Sequence, residues 1–168
     1  MDATHFHLAF THFPIIGIML GTLIYIISLL KKNKSGIIIS LLLFVGMALL
    51  SVPVFLTGEG AEESVEHLIP HAHLIIHPHE ELAETAIWIV YLLGLLSLFN
   101  LVNILRKKEV SYPLNWINAL VAIIATVLLM MVGKMGGEIR HSEIRDNDQQ
   151  QAIEQLKDEH QSDGDHED

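Results

Sequence analysis

Apolar and polar positions along this chain are segregated into blocks. Four predominantly apolar runs, from about Phe13 to Leu30, Gly36 to Leu56, Ala86 to Leu105 and Leu114 to Val132, alternate with polar or charged connections. Each is about long enough, as a helix, to cross ~30 Å of hydrocarbon. Lipid offers no partner for backbone N–H and C=O groups, so such runs must fold as helices that satisfy their own. Pro14 falls in the first helical turn, where its missing N–H costs nothing. Gly17 and Gly21 form a GxxxG spacing that lets a second helix approach closely. The expected fold is all-α: an integral membrane four-helix up-down bundle over residues 1–145. An acidic tail, 146–168, follows and reads as disordered.

Charge gives the bundle a direction. Lys31, Lys32 and Lys34 lie between runs one and two, and Arg106, Lys107 and Lys108 between three and four, whereas the connection from Thr57 to Glu84 has no lysine or arginine. By the positive-inside rule the two short basic loops are cytoplasmic. Both termini and the long connection then face outward, N-out and C-out, as in a multi-pass protein of a bacterial inner membrane. All 11 histidines consequently belong to the outer side or its interface.

That long connection concentrates the chemistry-bearing residues. It holds seven of the 20 acidic residues and five of the 11 histidines. From Glu59 to Ile69 the pattern is that of a short amphipathic helix lying in the interface: Ala61, Val65, Leu68 and Ile69 on one side, Glu59, Glu62, Glu63, Glu66 and His67 on the other. The bland alternative is that the acidic side is simply wet. Glu59 and Glu63, nearest the end of helix two, are the ones expected to turn toward the bundle.

Pro78 reads as the first residue of the third helix, with Glu80, Glu81 and Glu84 in its first two turns. There they would favour the positive end of the helix dipole by about 0.3–1 kcal/mol each. Helical spacing puts His77, Glu80, Glu81, Glu84 and Trp88 on one face, and His79 on the opposite face with Ala83, Ala86, Val90 and Ser97. A face of small residues suits packing inside a bundle, so His79 is the loop histidine assigned to its mouth.

Run four ends GKMGGEIRHSEIR. Glu138 and His141 make a Glu-x-x-His pair, the i,i+3 arrangement by which carboxylate-bridged metal bundles present two ligands from one helix. The bland alternative is a surface stripe in which Lys134, Glu138, His141 and Arg145 pair charges. Gly136 and Gly137 are expected to interrupt the helix and turn Glu138 and His141 back toward the bundle. His12, two residues before Pro14, is expected just below the interface, where an ionisable residue is a functional candidate. In an up-down bundle the starts of helices one and three and the ends of two and four share one face. His12, Glu59, Glu63, His79, Glu80, Glu84, Glu138 and His141 all come from these four places and form the candidate metal set.

Other residues exclude chemistry. Zero cysteines rule out disulfides, iron–sulfur ligation and c-type haem attachment within the chain. A net charge of −10 argues against a nucleic-acid partner. The membrane interior carries no Asp, Glu, Lys, Arg or His, so a proton or metal pump lacks its relay groups. Asn100, Asn103, Asn115 and Asn118 lie toward the cytoplasmic ends, and Thr126 stands alone.

At HFHLAFTHFPIIG, TGEGAEESVE, HEELAETA and GGEIRHSEI the chain resembles a bacterial family of four-helix inner-membrane proteins, catalogued as a domain of unknown function, in the version found in Bacteroidota. The resemblance covers about residues 5–145. Some members join a similar domain to Rieske or cytochrome c domains, which implies a link to membrane electron transfer and to membrane or periplasmic redox partners. The positions it singles out are His12 with Pro14, Gly58 with Glu59, His79 with Glu80 and Glu84, and Gly136, Gly137 and His141. The family's commoner ending, a Tyr-x-His-Gly after the glycine pair, is missing here.

Three functional expectations follow. The first is an outward-facing His/Glu site for a divalent or redox metal; imidazole and carboxylate suit Zn, Fe or Mn better than Cu(I). The second is a b-type haem held near the outer face by two of His12, His79 and His141. The third is a structural or assembly subunit of the membrane without a cofactor. No reaction is named by any motif in the chain.

Overall fold

The computed structural model describes residues 7, 9–58, 73–107 and 111–140. The Glu59–Ile69 segment, His141 and the acidic tail lie outside the described residues. Four helices account for nearly all of them: α1 (His12–Leu30), α2 (Lys34–Leu56), α3 (His73–Lys107) and α4 (Tyr112–Arg140). All four are long and apolar enough to cross a membrane, and among the described residues there is no strand.

Helix α1 ends in a left-handed cap. Lys32 adopts φ 51°, its N–H bonds to Leu29 O at 3.1 Å, and the N–H of Asn33 bonds to Ser28 O at 2.8 Å. These are the two bonds of a Schellman motif, which satisfies carbonyls that a helix end leaves without partners. Asn33 then caps α2, its side chain accepting from the N–H groups of Ser35 and Gly36. A four-letter turn, KKNK, therefore both stops one helix and starts the next.

Each helix packs on the next, and α1 also packs on α4. Contacts set their directions. A Cβ on Gly17 would strike Met47, one on Gly21 would strike Phe44, and one on Gly36 would strike Ser28, so α1 and α2 run antiparallel. Thr22 pairs with Thr126 and Tyr25 with Asn115, so α1 and α4 do too. Ser97 meets Asn118 and Asn100 meets Asn115, giving the same relation for α3 and α4. Helices α2 and α3 approach closely where a Cβ on Gly94 would lie 2.5 Å from the Cβ of Ala48. The start of α1, the end of α2, the start of α3 and the end of α4 consequently share one end of the bundle, hereafter the mouth.

The core is apolar and small-residue-rich: Ile18, Phe44, Leu93, Ala119, Ala122 and Ala125 belong to one buried cluster. The outside is apolar as well, with Leu20, Leu23, Leu49, Leu95, Phe99, Leu120 and Met130 all exposed. A water-soluble monomer does not carry an apolar surface of this extent; a bilayer accommodates it, with lipid covering the belt.

Away from the mouth the core turns polar. Tyr25, Asn100 and Asn115, all fully buried, make a three-helix network. Tyr25 donates to Asn115 Oδ1 at 2.7 Å, Asn100 Nδ2 donates to the same oxygen at 2.8 Å, and Asn115 Nδ2 donates to Ser111 O at 2.8 Å. Because Ser111 O can only accept, it sets the orientation of the Asn115 amide, which in turn makes Asn100 present its N–H. Asn100 Oδ1 is left as a buried acceptor without a partner among the described residues. Thr126, which stands alone in the sequence, is paired: its hydroxyl lies 3.0 Å from that of Thr22. Sequence spacing cannot show a partner 104 residues away.

Two expected boundaries are corrected. Pro78 does not open α3, which begins five residues earlier at His73 and carries Pro78 inside. Near a helix start, proline forfeits only one backbone bond, so the helix continues through it. Glu80, Glu81 and Glu84 therefore fall beyond the first turn, which has no acidic residue, and past the reach of the dipole. Gly136 and Gly137 do not interrupt α4, which runs on to Arg140. Glycine costs a helix interior about 1 kcal/mol relative to alanine but does not break its hydrogen bonds.

Candidate functional site at the bundle mouth

Four segments meet at the mouth, and a glycine governs how closely one of its histidines approaches. His79, in the second turn of α3, is half-buried. Its ring lies against α4, where a Cβ added to Gly136 would sit 3.2 Å from His79 Cε1. Any larger residue at 136 would displace the imidazole. Ala86, Val90 and Ser97, which share the helical face of His79, are buried.

Two residues past Gly136, Glu138 is buried at 3% exposure. Its carboxylate lies 3.2 Å from Nζ of Lys134, one turn earlier and mostly exposed. The i,i+4 pair expected of a surface stripe thus exists, but with one partner inside. A carboxylate is seldom this buried without a cation beside it.

His7 is not among the residues that the sequence pattern singles out. Its Nδ1 lies 2.9 Å from Val54 O, one of the last four carbonyls of α2, which have no partner within their own helix. A carbonyl oxygen only accepts, so Nδ1 carries the proton and, in the neutral ring, Nε2 keeps its lone pair. The ring also lies against α2's end, with Cε1 3.5 Å from where a Cβ on Gly58 would be. Thr57 Oγ1 supports the same turn, 2.9 Å from Pro53 O and 3.0 Å from Val54 O. The only sequence signal for His7 is its place in HFHLAFTHFP, five residues before His12. Nothing in its spacing indicates that it crosses to α2.

The remaining candidates are distributed differently. His12 is the first residue of α1 and its side chain is exposed. Glu80 and Glu84 are exposed on the outer face of α3, with Glu81 and Trp88. On that face His77 Nδ1 is 3.6 Å from Glu81 Oε1, an exposed pair that contributes little to stability. Glu59, Glu63 and His141 lie outside the described residues. Among the described residues, no three His, Cys, Asp or Glu side chains are grouped closely enough to hold a metal ion.

The same end of the bundle thus carries the His7 imidazole bonded to Val54 O, the His79 imidazole packed on Gly136 and the buried Glu138 carboxylate. These are proton-accepting and metal-binding side-chain types, and none of them is a nucleophilic hydroxyl or thiol. No protein-family model matches the chain, and neither a curated protein nor a solved structure matches it.

Proposed function

We propose that this chain is a multi-pass protein of a bacterial inner membrane whose mouth faces outward and holds a metal through histidine and glutamate. Orientation rests on charge: Lys31, Lys32, Lys34 and Arg106 stand at the bundle end opposite the mouth. The observation that carries the metal reading is Glu138, a carboxylate at 3% exposure two residues past Gly136, the glycine against which His79 packs. Such a carboxylate, costly to bury, fits a site that presents negative charge to a cation. His79 and Glu138 supply imidazole and carboxylate. Glu59, Glu63 and His141 are the sequence-based candidates to complete the coordination shell, which the described residues alone do not provide. Zn, Fe or Mn fits these donors.

A second reading, a b-type haem, has its own support. Haem iron needs only two axial imidazoles from the protein. His79 and His7 are at the same end, and the proton on His7 Nδ1 leaves Nε2 as the metal-binding nitrogen. The resemblance to a family with redox-linked relatives agrees with either reading, and membrane or periplasmic redox proteins are the implied partners.

An absorption spectrum and an elemental analysis of the protein purified in detergent test both. Stoichiometric Zn, Fe or Mn without a chromophore supports the first reading. A Soret band with a reduced-minus-oxidised α band replaces it with the second. Neither signal leaves a structural subunit of the membrane.

A further inference from the structure

The bundle end opposite the mouth carries positive charge in a chain that is acidic overall. We propose that this end is a docking surface for acidic phospholipid headgroups, formed by Lys31, Lys32, Lys34 and Arg106. This rests on the bundle spanning a bilayer; it depends neither on the metal reading nor on which way the mouth faces.

Charge is the first support. The four cations are exposed, three in and beside the turn between α1 and α2 and one in the last turn of α3. In the sequence Lys107 and Lys108 extend the second group, and Glu109 is the only acidic residue in either connection. The acidic residues among the described ones, Glu80, Glu81, Glu84 and Glu138, all belong to the mouth. From Glu84 to Arg106 α3 rises about 33 Å, several times the ~8 Å over which salt screens exposed charges. The net charge of −10 therefore does not cancel the local attraction for an anionic surface. Basic side chains just beyond a membrane helix each strengthen that attraction roughly fivefold.

Depth is the second support, and it selects lipid over other anions. Leu30 and Leu105, the chain neighbours of Lys31 and Arg106, are 68% and 62% exposed. The cations thus stand where the lipid-facing belt ends, level with headgroup phosphates, and their stems can lie along its apolar edge. Tyr112 and Trp116, also exposed, open α4 at this end, as aromatic residues do at a bilayer interface. An acidic protein would have to displace lipid to reach the same side chains. Local geometry agrees. Asn33 already accepts from the N–H groups of Ser35 and Gly36, so the start of α2 offers an anion its lysines rather than those backbone donors. That suits a headgroup layer better than one sequestered phosphate.

The chain's two tryptophans report on its two ends. Trp88 lies one turn past Glu84, and Trp116 adjoins Asn115, whose partner Asn100 is in the cationic half of α3. The full chain is reconstituted in phosphatidylcholine vesicles with brominated phosphatidylglycerol in one arm and brominated phosphatidylcholine in the other. Tryptophan quenching gives the relative affinity of the two lipids, with Trp88→Phe isolating Trp116 and Trp116→Phe isolating Trp88.

At Trp116 phosphatidylglycerol is expected to be favoured at least about threefold, with no preference at Trp88. Lys31→Gln, Lys32→Gln, Lys34→Gln and Arg106→Gln together are expected to abolish the preference. Lys31→Arg, Lys32→Arg and Lys34→Arg together are expected to keep it. Equal affinities at Trp116 overturn the proposal and leave the cations to an acidic protein surface. A preference that survives the glutamine variant, or that is the same at both tryptophans, also overturns it. Inorganic phosphate at constant ionic strength is expected to change nothing; a preference abolished by it marks a free-anion site and overturns the lipid assignment. If no brominated lipid quenches either tryptophan, the membrane placement fails and the proposal with it.

Discussion

At the scale of single residues, several side chains are set by one constraint each. Lys32 holds φ 51°, a conformation that costs a residue with a Cβ about 1 kcal/mol or more. Lys32→Gly should therefore raise the thermal midpoint in detergent, by the equivalent of about 1 kcal/mol; a lowered midpoint would mean that the lysine side chain contributes more than its backbone costs. The asparagine network makes a sharper forecast. Asn115→Ala strips partners from Tyr25, Asn100 and Ser111 O, and should cost about 2–4 kcal/mol. Asn100→Ala removes a buried acceptor that has no partner among the described residues together with its two donors, so it should cost less by about 1 kcal/mol. Equilibrium unfolding of the two variants checks the order, and a larger loss for Asn100→Ala contradicts it. Neither network is legible from spacing. Four asparagines and a lone threonine stand out as polar residues in apolar runs, but their pairing depends on which helices become neighbours. The same holds for His7, whose partner Val54 is an unremarkable apolar residue contributing only its carbonyl.

At the scale of elements, the helices themselves could be read almost directly, because an apolar run in lipid has so few alternatives. Helix ends could not. Pro78 and the pair Gly136–Gly137 look like boundaries, yet α3 starts before the proline and α4 continues past the glycines. At those positions packing outweighs a local preference of about 1 kcal/mol per glycine. The opposite faces of α3 were legible, since a strict helical period separates His79, Ala86 and Val90 from Glu80, Glu84 and Trp88. Close approaches between helices give further tests. Gly94→Ala places a methyl 2.5 Å from the Ala48 Cβ, where neither group can swing aside, and should destabilise by about 1–3 kcal/mol. Gly46→Ala, with nothing within 4 Å of the added methyl, should instead stabilise α2 by about 0.5–1 kcal/mol. Thermal unfolding of this pair distinguishes steric packing at residue 94 from a general intolerance of substitution. Equal effects at both sites would discard the close contact of α2 and α3.

At the scale of the whole molecule, helix directions bring His12, His79 and Glu138 to a single end, while Lys31, Lys32, Lys34 and Arg106 gather at the other. The chain lacks cysteine, so single cysteines can report sidedness without background. In intact cells with a permeable outer envelope, an impermeant maleimide should label His77→Cys at the mouth and reach Ser35→Cys only after the inner membrane is opened; the reverse order contradicts an outward mouth. The central claim is that this mouth holds a metal, and its most direct measurement is the metal and haem content per chain of purified wild type beside His79→Ala. The account predicts close to one metal ion or one haem per wild-type chain, largely lost from a His79→Ala protein that still folds. Full retention in the variant, or neither metal nor haem in the wild type, would contradict it.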